Sequence, residues 1–161
     1  MKTKKRIERA IVPELGDVIG VSRGGIYEHY GVYENDFCVY EYAAENSDFE
    51  DKPVIHITTL QKFIASSEVY FRLLFPPDYG IPDKQPLSTH KLSDLYKLYN
   101  RLSYHLYTPE QTIERARSKL GESKYSLIFN NCEHYAIWCK TGLHQSHQVE
   151  AVLSAVKRIY S

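Results

Sequence analysis

The sequence lacks a long hydrophobic run. No stretch approaches the ~20 apolar residues that a membrane-spanning helix requires, and no apolar signal-peptide core follows the basic start at residues 1–9. These absences predict a protein that is neither transmembrane nor secreted. We therefore expect a cytoplasmic location.

The chain also has no excess of charge of either sign. Its 20 Lys and Arg residues balance 20 Asp and Glu residues, so no overall field attracts nucleic acid, and we predict no nucleic-acid partner. The basic residues of the first nine positions are typical of a solvated terminus. Weak attraction to acidic lipid headgroups, and hence contact with the periphery of a membrane, is the alternative.

Cysteine is scarce, with three residues in 161. An odd number of widely spaced cysteines does not suit a disulfide framework, which agrees with a reducing compartment. Two of them lie in a late segment that also contains three histidines: Cys132, His134, Cys139, His144 and His147. This spacing fits no standard structural zinc pattern, so we predict neither a metal nor a cofactor.

The hydrophobic pattern predicts strands first and helices afterwards. Strand patterns occupy residues 17–21, 26–33, 37–43, 53–57 and 69–75, and helical spacing occupies 91–106, 109–120, 132–141 and about 147–160. This order is typical of an α+β fold, with helices packed on a mainly antiparallel sheet. The length favours a single domain over residues 1–161. We expect the amphipathic helix at 147–160 to pack on that domain, with a partner or a membrane surface as the alternative.

The second and third strand patterns predict a β-hairpin. If residues 34–36 form a three-residue loop, the register places Tyr33 opposite Phe37 and His29 opposite Glu41. Directly opposed side chains have Cβ atoms ~4.5–5.5 Å apart. We therefore expect the His29 imidazole to lie within hydrogen-bonding reach of the Glu41 carboxylate.

The stretch around Cys132 predicts the start of a helix. An apolar run ends at Asn130 and Asn131, which are good N-cap residues, and Gly142 supplies a stop ten residues later. Cys132 is then in the first helical turn, where the peptide dipoles and free N–H groups stabilise a thiolate. This position makes Cys132 the candidate nucleophile, although spacing alone does not show that it meets His29.

These motifs together resemble the lecithin:retinol acyltransferase-like family, also called NC-domain proteins. The matching segments are Gly16–Ile19, Tyr27–Tyr33, Arg115–Gly121, Asn130–Tyr135 and Trp138–Gly142. The likeness covers about residues 14–145, which we take as the core of the domain. It implies a permuted papain-like fold related to NlpC-type peptidases, with the histidine ahead of the cysteine.

By this resemblance, Cys132 is the nucleophile and His29 is the general base. The implied chemistry is attack on an acyl ester, such as a phospholipid, with release of an alcohol and formation of an acyl-cysteine thioester. The acyl group then passes to water, an alcohol or an amine. An NlpC-type amidase or peptidase is one alternative, and a non-catalytic interaction module with the same fold is another. The sequence does not fix the oligomeric state.

The chain departs from the family pattern at one position. Family members usually carry a second histidine twelve residues after the first, and here that position is Glu41. We expect Glu41 to orient His29 and to raise its pKa, with His56 as the alternative third residue. The backbone N–H of Cys132 is the natural oxyanion donor. The hydroxyl of Tyr27, on the same strand face as His29, is a second candidate, with simple packing as the alternative for this side chain.

Overall fold

The computed structural model describes residues 12–44, 52–65, 67, 69–75, 105–123 and 132–160. The strands are β1 Asp17–Arg23, β2 Tyr27–Asn35, β3 Cys38–Ala43, β4 Val54–Thr58, β5 Tyr70–Leu74 and β6 Lys157–Tyr160. The helices within these ranges are α1 Leu60–Ile64, α2 Pro109–Ser118, α3 Cys132–Thr141 and α4 Ser146–Ala155. The predicted helix at 91–106 (all but its last two residues) and the residues Asn130 and Asn131 lie outside the described part.

The six strands form one antiparallel sheet in the order β4-β3-β2-β1-β5-β6. The larger core lies on one face, where α3 covers side chains such as Val32 and Tyr40. A smaller core lies on the other face, where Phe63 of α1 packs against Ile19 and Val39. Since side chains alternate between the faces of a strand, each central strand contributes to both cores. The α+β prediction is confirmed.

Local signals fix the helices that carry the late motifs. Thr108 caps α2 in a reciprocal capping box with Gln111. Arg115 of α2 donates to the carbonyl oxygens of Trp138 and Cys139, at 2.8 and 3.2 Å, near the C-terminus of α3. Gly142 then adopts a left-handed φ of 75°, as predicted for the end of α3. These contacts hold α3 against α2.

The β2–β3 hairpin differs from the predicted register. The turn is the two-residue segment 36–37, Asn35 pairs with Cys38, and a bulge lies between Tyr33 and Asn35. The Asn35 side chain accepts a hydrogen bond from the Phe37 N–H at 2.9 Å, which favours this tight turn. As a result Glu41 pairs with Gly31 rather than with His29.

The end of the chain also differs from its prediction. The helix expected to run to residue 160 stops at Ala155, and Lys157–Tyr160 pairs with β5 as the edge strand β6. Val149 and Val152 of α4 are buried, so the helix packs on the domain as expected. The remaining residues become a strand because they meet the open edge of β5, which a local pattern does not reveal.

Across the described ranges, no helix combines the length and the apolar character that spanning a membrane requires.

Gly16 lies close to Pro109 at the start of α2, and substitutions of this glycine test that contact. Its φ is 79°, and an added Cβ would lie 2.6 Å from the Cα of Pro109. We expect Gly16→Ala to lower the free energy of unfolding by about 3 kcal/mol or more, from left-handed strain and overpacking together. Urea denaturation measures this loss.

The matched control is Gly24→Ala, because Gly24 also has a positive φ, 60°, but no atom lies within 4 Å of the new methyl group. This change should cost only the strain, about 1–2 kcal/mol. Equal losses for the two variants would contradict the close approach of Gly16 to α2.

Candidate active site

The sulfur of Cys132 lies at the point where the pairing between β2 and β3 ends. The last pair between these strands is Gly31 with Glu41. Beyond it, the N–H of Tyr30 donates to Cys132 Sγ at 3.3 Å, and Cys132 in its thiol form donates to the carbonyl oxygen of Glu28, 3.8 Å from Sγ. The first residue of α3 therefore binds main-chain groups of β2 that β3 no longer pairs.

His29 connects this sulfur to a carboxylate. It projects from β2, is 6% exposed, and interacts with the Cys132 side chain, which raises the pKa of the imidazole. Its Nε2 atom lies 2.6 Å from Oε2 of Glu41. Because Glu41 occupies Nε2, the Nδ1 atom is the one that remains for the sulfur. The hairpin and the late helix therefore meet, a contact that the sequence did not establish.

Glu41 reaches His29 although the two residues are not directly opposed. The observed register differs from the predicted one by two residues, and side chains two residues apart share a face. The prediction of the pairing was wrong, whereas the prediction of the shared face was right. A diagonal neighbour remains within reach of a long side chain such as glutamate.

His56 lies on the other side of the same carboxylate. It is directly opposite Glu41 in the β3–β4 register, and its Nε2 atom is 3.3 Å from Oε1 of Glu41. The sequence offered Glu41 and His56 as alternatives for one position. The structure brings both together, with the carboxylate between two imidazoles.

The surroundings of His29 favour its protonated form. Burial is the largest single contribution to its pKa and lowers it. Hydrogen bonds to Cys132 and Glu41, together with the charges of these groups, outweigh burial and raise the pKa of His29 to about 9. At neutral pH the imidazole is therefore an imidazolium between a sulfur and a carboxylate, the state that stabilises a thiolate partner.

The segment that contains His29, Glu41, His56 and Cys132 matches a known protein family. Residues 12–145 match the family model described as lecithin retinol acyltransferase. The chain belongs to the lecithin retinol acyltransferase family. This match agrees with the resemblance in the motifs around His29 and Cys132.

Several members of the lecithin retinol acyltransferase family are similar to the chain along most of its length. Phospholipase A and acyltransferase 2 of Homo sapiens is 29% identical over 148 residues, which cover 89% of this chain and 80% of that protein. Lecithin retinol acyltransferase of Rattus norvegicus is 28% identical over 148 residues, covering 88% and 60%. Phospholipase A and acyltransferase 5 of Homo sapiens is 28% identical over 144 residues, covering 88% and 45%. The chain thus spans about half of the length of phospholipase A and acyltransferase 5.

Tyr27 is the remaining predicted site residue. Tyr27 begins β2 and is 59% exposed, so its hydroxyl lies at the surface end of the strand that carries His29. Its role as an oxyanion donor remains a prediction.

Among the residues that the structure describes, no three His, Cys, Asp or Glu side chains form a group that could hold a metal ion.

Sequence reasoning missed the main-chain groups that bind the sulfur. The N–H of Tyr30 and the carbonyl of Glu28 flank His29 in the chain, but their availability depends on where β3 leaves β2. No side-chain pattern reports the end of a strand pair. The family motif around His29 marks this stretch of the sequence, but it does not show that the pairing of β2 with β3 ends there.

The position of the His29 proton leads to a prediction. We expect the imidazole of His29 to titrate at a pH of about 9, and Glu41→Gln to lower this midpoint, because the variant removes the negative charge and keeps the side-chain shape. NMR of protein with ¹³C-labelled histidine measures the midpoint. Glu114→Gln on the exposed side of α2 is the control and should leave it unchanged. An unchanged midpoint in Glu41→Gln would contradict the contact with His29.

Proposed function

We propose that this chain is a cysteine-dependent acyltransferase or phospholipase A-like hydrolase acting on acyl esters of phospholipids or related lipids. The observation that carries the proposal is the position of His29, which interacts with the Cys132 side chain and is hydrogen-bonded to Glu41. A nucleophile, a base and an orienting group in this order are the requirements for acyl transfer. The names of the relatives support lipid esters as the substrate class.

In the first step, the Cys132 thiolate, paired with the His29 imidazolium, attacks the carbonyl carbon of the ester. A carbon–sulfur bond forms, and the carbon–oxygen bond to the leaving alcohol breaks. The His29 imidazolium gives its proton to that oxygen, so that a lysophospholipid or another alcohol leaves in neutral form. The product on the enzyme is a thioester at Cys132.

In the second step, water, an alcohol or an amine attacks the thioester carbon. The neutral imidazole of His29 takes the proton of the attacking group, and the carbon–sulfur bond breaks to return the thiolate. Water gives a fatty acid, and the other acceptors give a transferred acyl group. Hydrolysis and transfer therefore use the same side chains and differ only in the acceptor.

Glu41 holds the imidazole during both steps. Its Oε2 atom accepts from Nε2 of His29, which fixes the ring and stabilises the imidazolium. His56 contacts Oε1 and so restrains the second oxygen of the same carboxylate. We assign the orienting role to Glu41 and a supporting role to His56.

The oxyanion of the tetrahedral intermediate needs donors near the sulfur. The N–H of Cys132, at the first position of α3, is the main candidate, since a helix start presents free N–H groups and a positive dipole end. The Tyr27 hydroxyl is the second candidate.

The proposal includes the setting of the reaction. Three free cysteines, among them the nucleophile, suit a reducing compartment such as the cytoplasm. Ile26 and Tyr27, at the β1–β2 turn just ahead of His29, are 87% and 59% exposed. This turn is an apolar surface by which the site can approach a lipid layer at its periphery.

The acyl-enzyme provides the central test. After exposure to short-chain phosphatidylcholine, intact-mass spectrometry should detect one acyl group on the protein, and hydroxylamine should remove it, because thioesters react with this nucleophile. Cys132→Ala and His29→Ala should both abolish the adduct, whereas Cys38→Ala should keep it, since Cys38 lies on β3 outside the contacts with His29.

Other outcomes of this experiment distinguish the alternatives. Release of amines from a peptide panel with no acyl adduct from lipid would favour an NlpC-type amidase or peptidase. No adduct and no product from either substrate class would favour a non-catalytic interaction module.

The roles of Glu41 and His56 predict a non-additive pair of variants. Glu41→Gln should slow formation of the acyl-enzyme about tenfold or more, and His56→Leu should slow it about tenfold by leaving Oε1 of Glu41 without its contact. Because His56 acts through Glu41, we expect His56→Leu to cost less than about twofold in the Glu41→Gln background. Stopped-flow measurement of alcohol release gives these rates.

The matched control is Thr58→Val, two residues along the same face of β4 and opposite Val39. It should leave the rate unchanged. Additive losses from Glu41→Gln and His56→Leu would contradict the supporting role of His56.

A further inference from the structure

The last strand of the chain lies beyond residues 12–145, the part that matches the family. In β6, Arg158 pairs with Leu73 of β5, and its guanidinium carbon lies 4.5 Å from the centre of the Phe71 ring. That ring lies against Gly20 of β1, where a Cβ would come within 2.5 Å of it. Because Gly20 has no side chain, Phe71 fits against β1, and the guanidinium extends past both strands to β2.

On β2, Arg158 binds the side chains of two residues. Its guanidinium forms a paired hydrogen bond with the Glu28 carboxylate, in which Nη2 lies 2.7 Å from Oε2. Nη2 also donates to the Tyr30 hydroxyl at 3.1 Å, and that hydroxyl donates to Oε2 of Glu28 at 2.6 Å. The hydrogen bonds from Arg158 hold the pKa of Glu28 below its usual range, so Glu28 is a carboxylate.

The same two residues bind the sulfur of Cys132 with their main chains. The N–H of Tyr30 donates to Sγ, and the carbonyl of Glu28 accepts from the thiol form of Cys132. At this level β2 has lost its pairing with β3 and keeps only its pairing with β1. The side-chain bonds to Arg158 therefore restrain a stretch of strand that is open on the side where the sulfur lies.

Arg158 also offsets negative charge beside the nucleophile. Glu133 follows Cys132 in α3, and burial, then the charges of Glu28 and Glu150, raise its pKa, while the charge of Arg158 acts in the opposite direction. The guanidinium therefore offsets part of the negative charge that Glu28 and Glu150 place at Glu133, the residue next to Cys132.

We propose that Arg158 is a positioning residue for Cys132, acting through Glu28 and Tyr30 to fix the two main-chain groups that bind the sulfur. This inference rests on the proposed function, in which Cys132 is the nucleophile. It gives β6, which lies outside the family match, a part in the reaction.

The test compares Arg158→Gln with Lys157→Gln, a neutralisation of the exposed neighbouring residue on the same strand. Two rates are measured in the full chain: alkylation of Cys132 by iodoacetamide, followed by peptide mass, and acylation by short-chain phosphatidylcholine. Arg158→Gln should slow both about tenfold, because a misplaced nucleophile loses reactivity steeply, with KM changed by less than about twofold. Arg158→Lys should recover the rates to within about threefold of the wild type, since it restores the charge but not the paired bond. Lys157→Gln should leave both rates unchanged.

Glu28→Gln separates positioning from a general loss of stability. It should slow alkylation as Arg158→Gln does, and the double variant should be no slower than either single one. Glu28→Gln also tests the positioning role if the Arg158→Gln variant does not fold. Unchanged alkylation in Arg158→Gln or Glu28→Gln, additive losses in the double variant, or an equal loss in Lys157→Gln would overturn the inference. If the wild type takes no acyl group while alkylation follows the expected pattern, the proposed function fails and the positioning role of Arg158 stands.

Discussion

The contact between the sulfur of Cys132 and the main chain of β2 is the constraint on which the site depends. Buried main-chain N–H groups need a partner, and at Tyr30 the partner is a side chain from α3 instead of a neighbouring strand. The start of α3 is therefore fixed on the sheet by the same bond that places the candidate nucleophile. Packing of the helix and assembly of the site are one event, since a shift of α3 would remove a hydrogen bond and separate the sulfur from His29.

The second constraint is the burial of the Glu41 carboxylate, which is 7% exposed. A buried carboxylate is costly unless hydrogen-bond donors surround it. His29 provides a donor to one oxygen, and His56 contacts the other from the adjacent strand. Each oxygen of the buried Glu41 carboxylate therefore lies beside an imidazole.

Local signals predicted the local features of the chain, and tertiary contacts account for the errors. The helix start at Cys132 and the stop at Gly142 follow from neighbouring residues, and both are present. The hairpin register was wrong because a bulge and the Asn35 side chain set the turn. The final strand was predicted as helix because its partner, β5, lies more than 80 residues away in the sequence. The meeting of Cys132 with His29 joins distant segments, and no periodicity in the sequence reports it.

The hairpin register has a consequence for insertions and deletions. His29 and Glu41 are separated by an even number of residues, and both face the same side of the sheet. A loop that gained or lost two residues would slide the strands by one full side-chain period and keep the imidazole and the carboxylate on that side. A change of one residue, unless the turn absorbed it, would rotate one of the two toward the opposite layer. We therefore expect length changes near this turn to be tolerated in steps of two residues, because such changes keep the His29 imidazole and the Glu41 carboxylate on one face of the sheet.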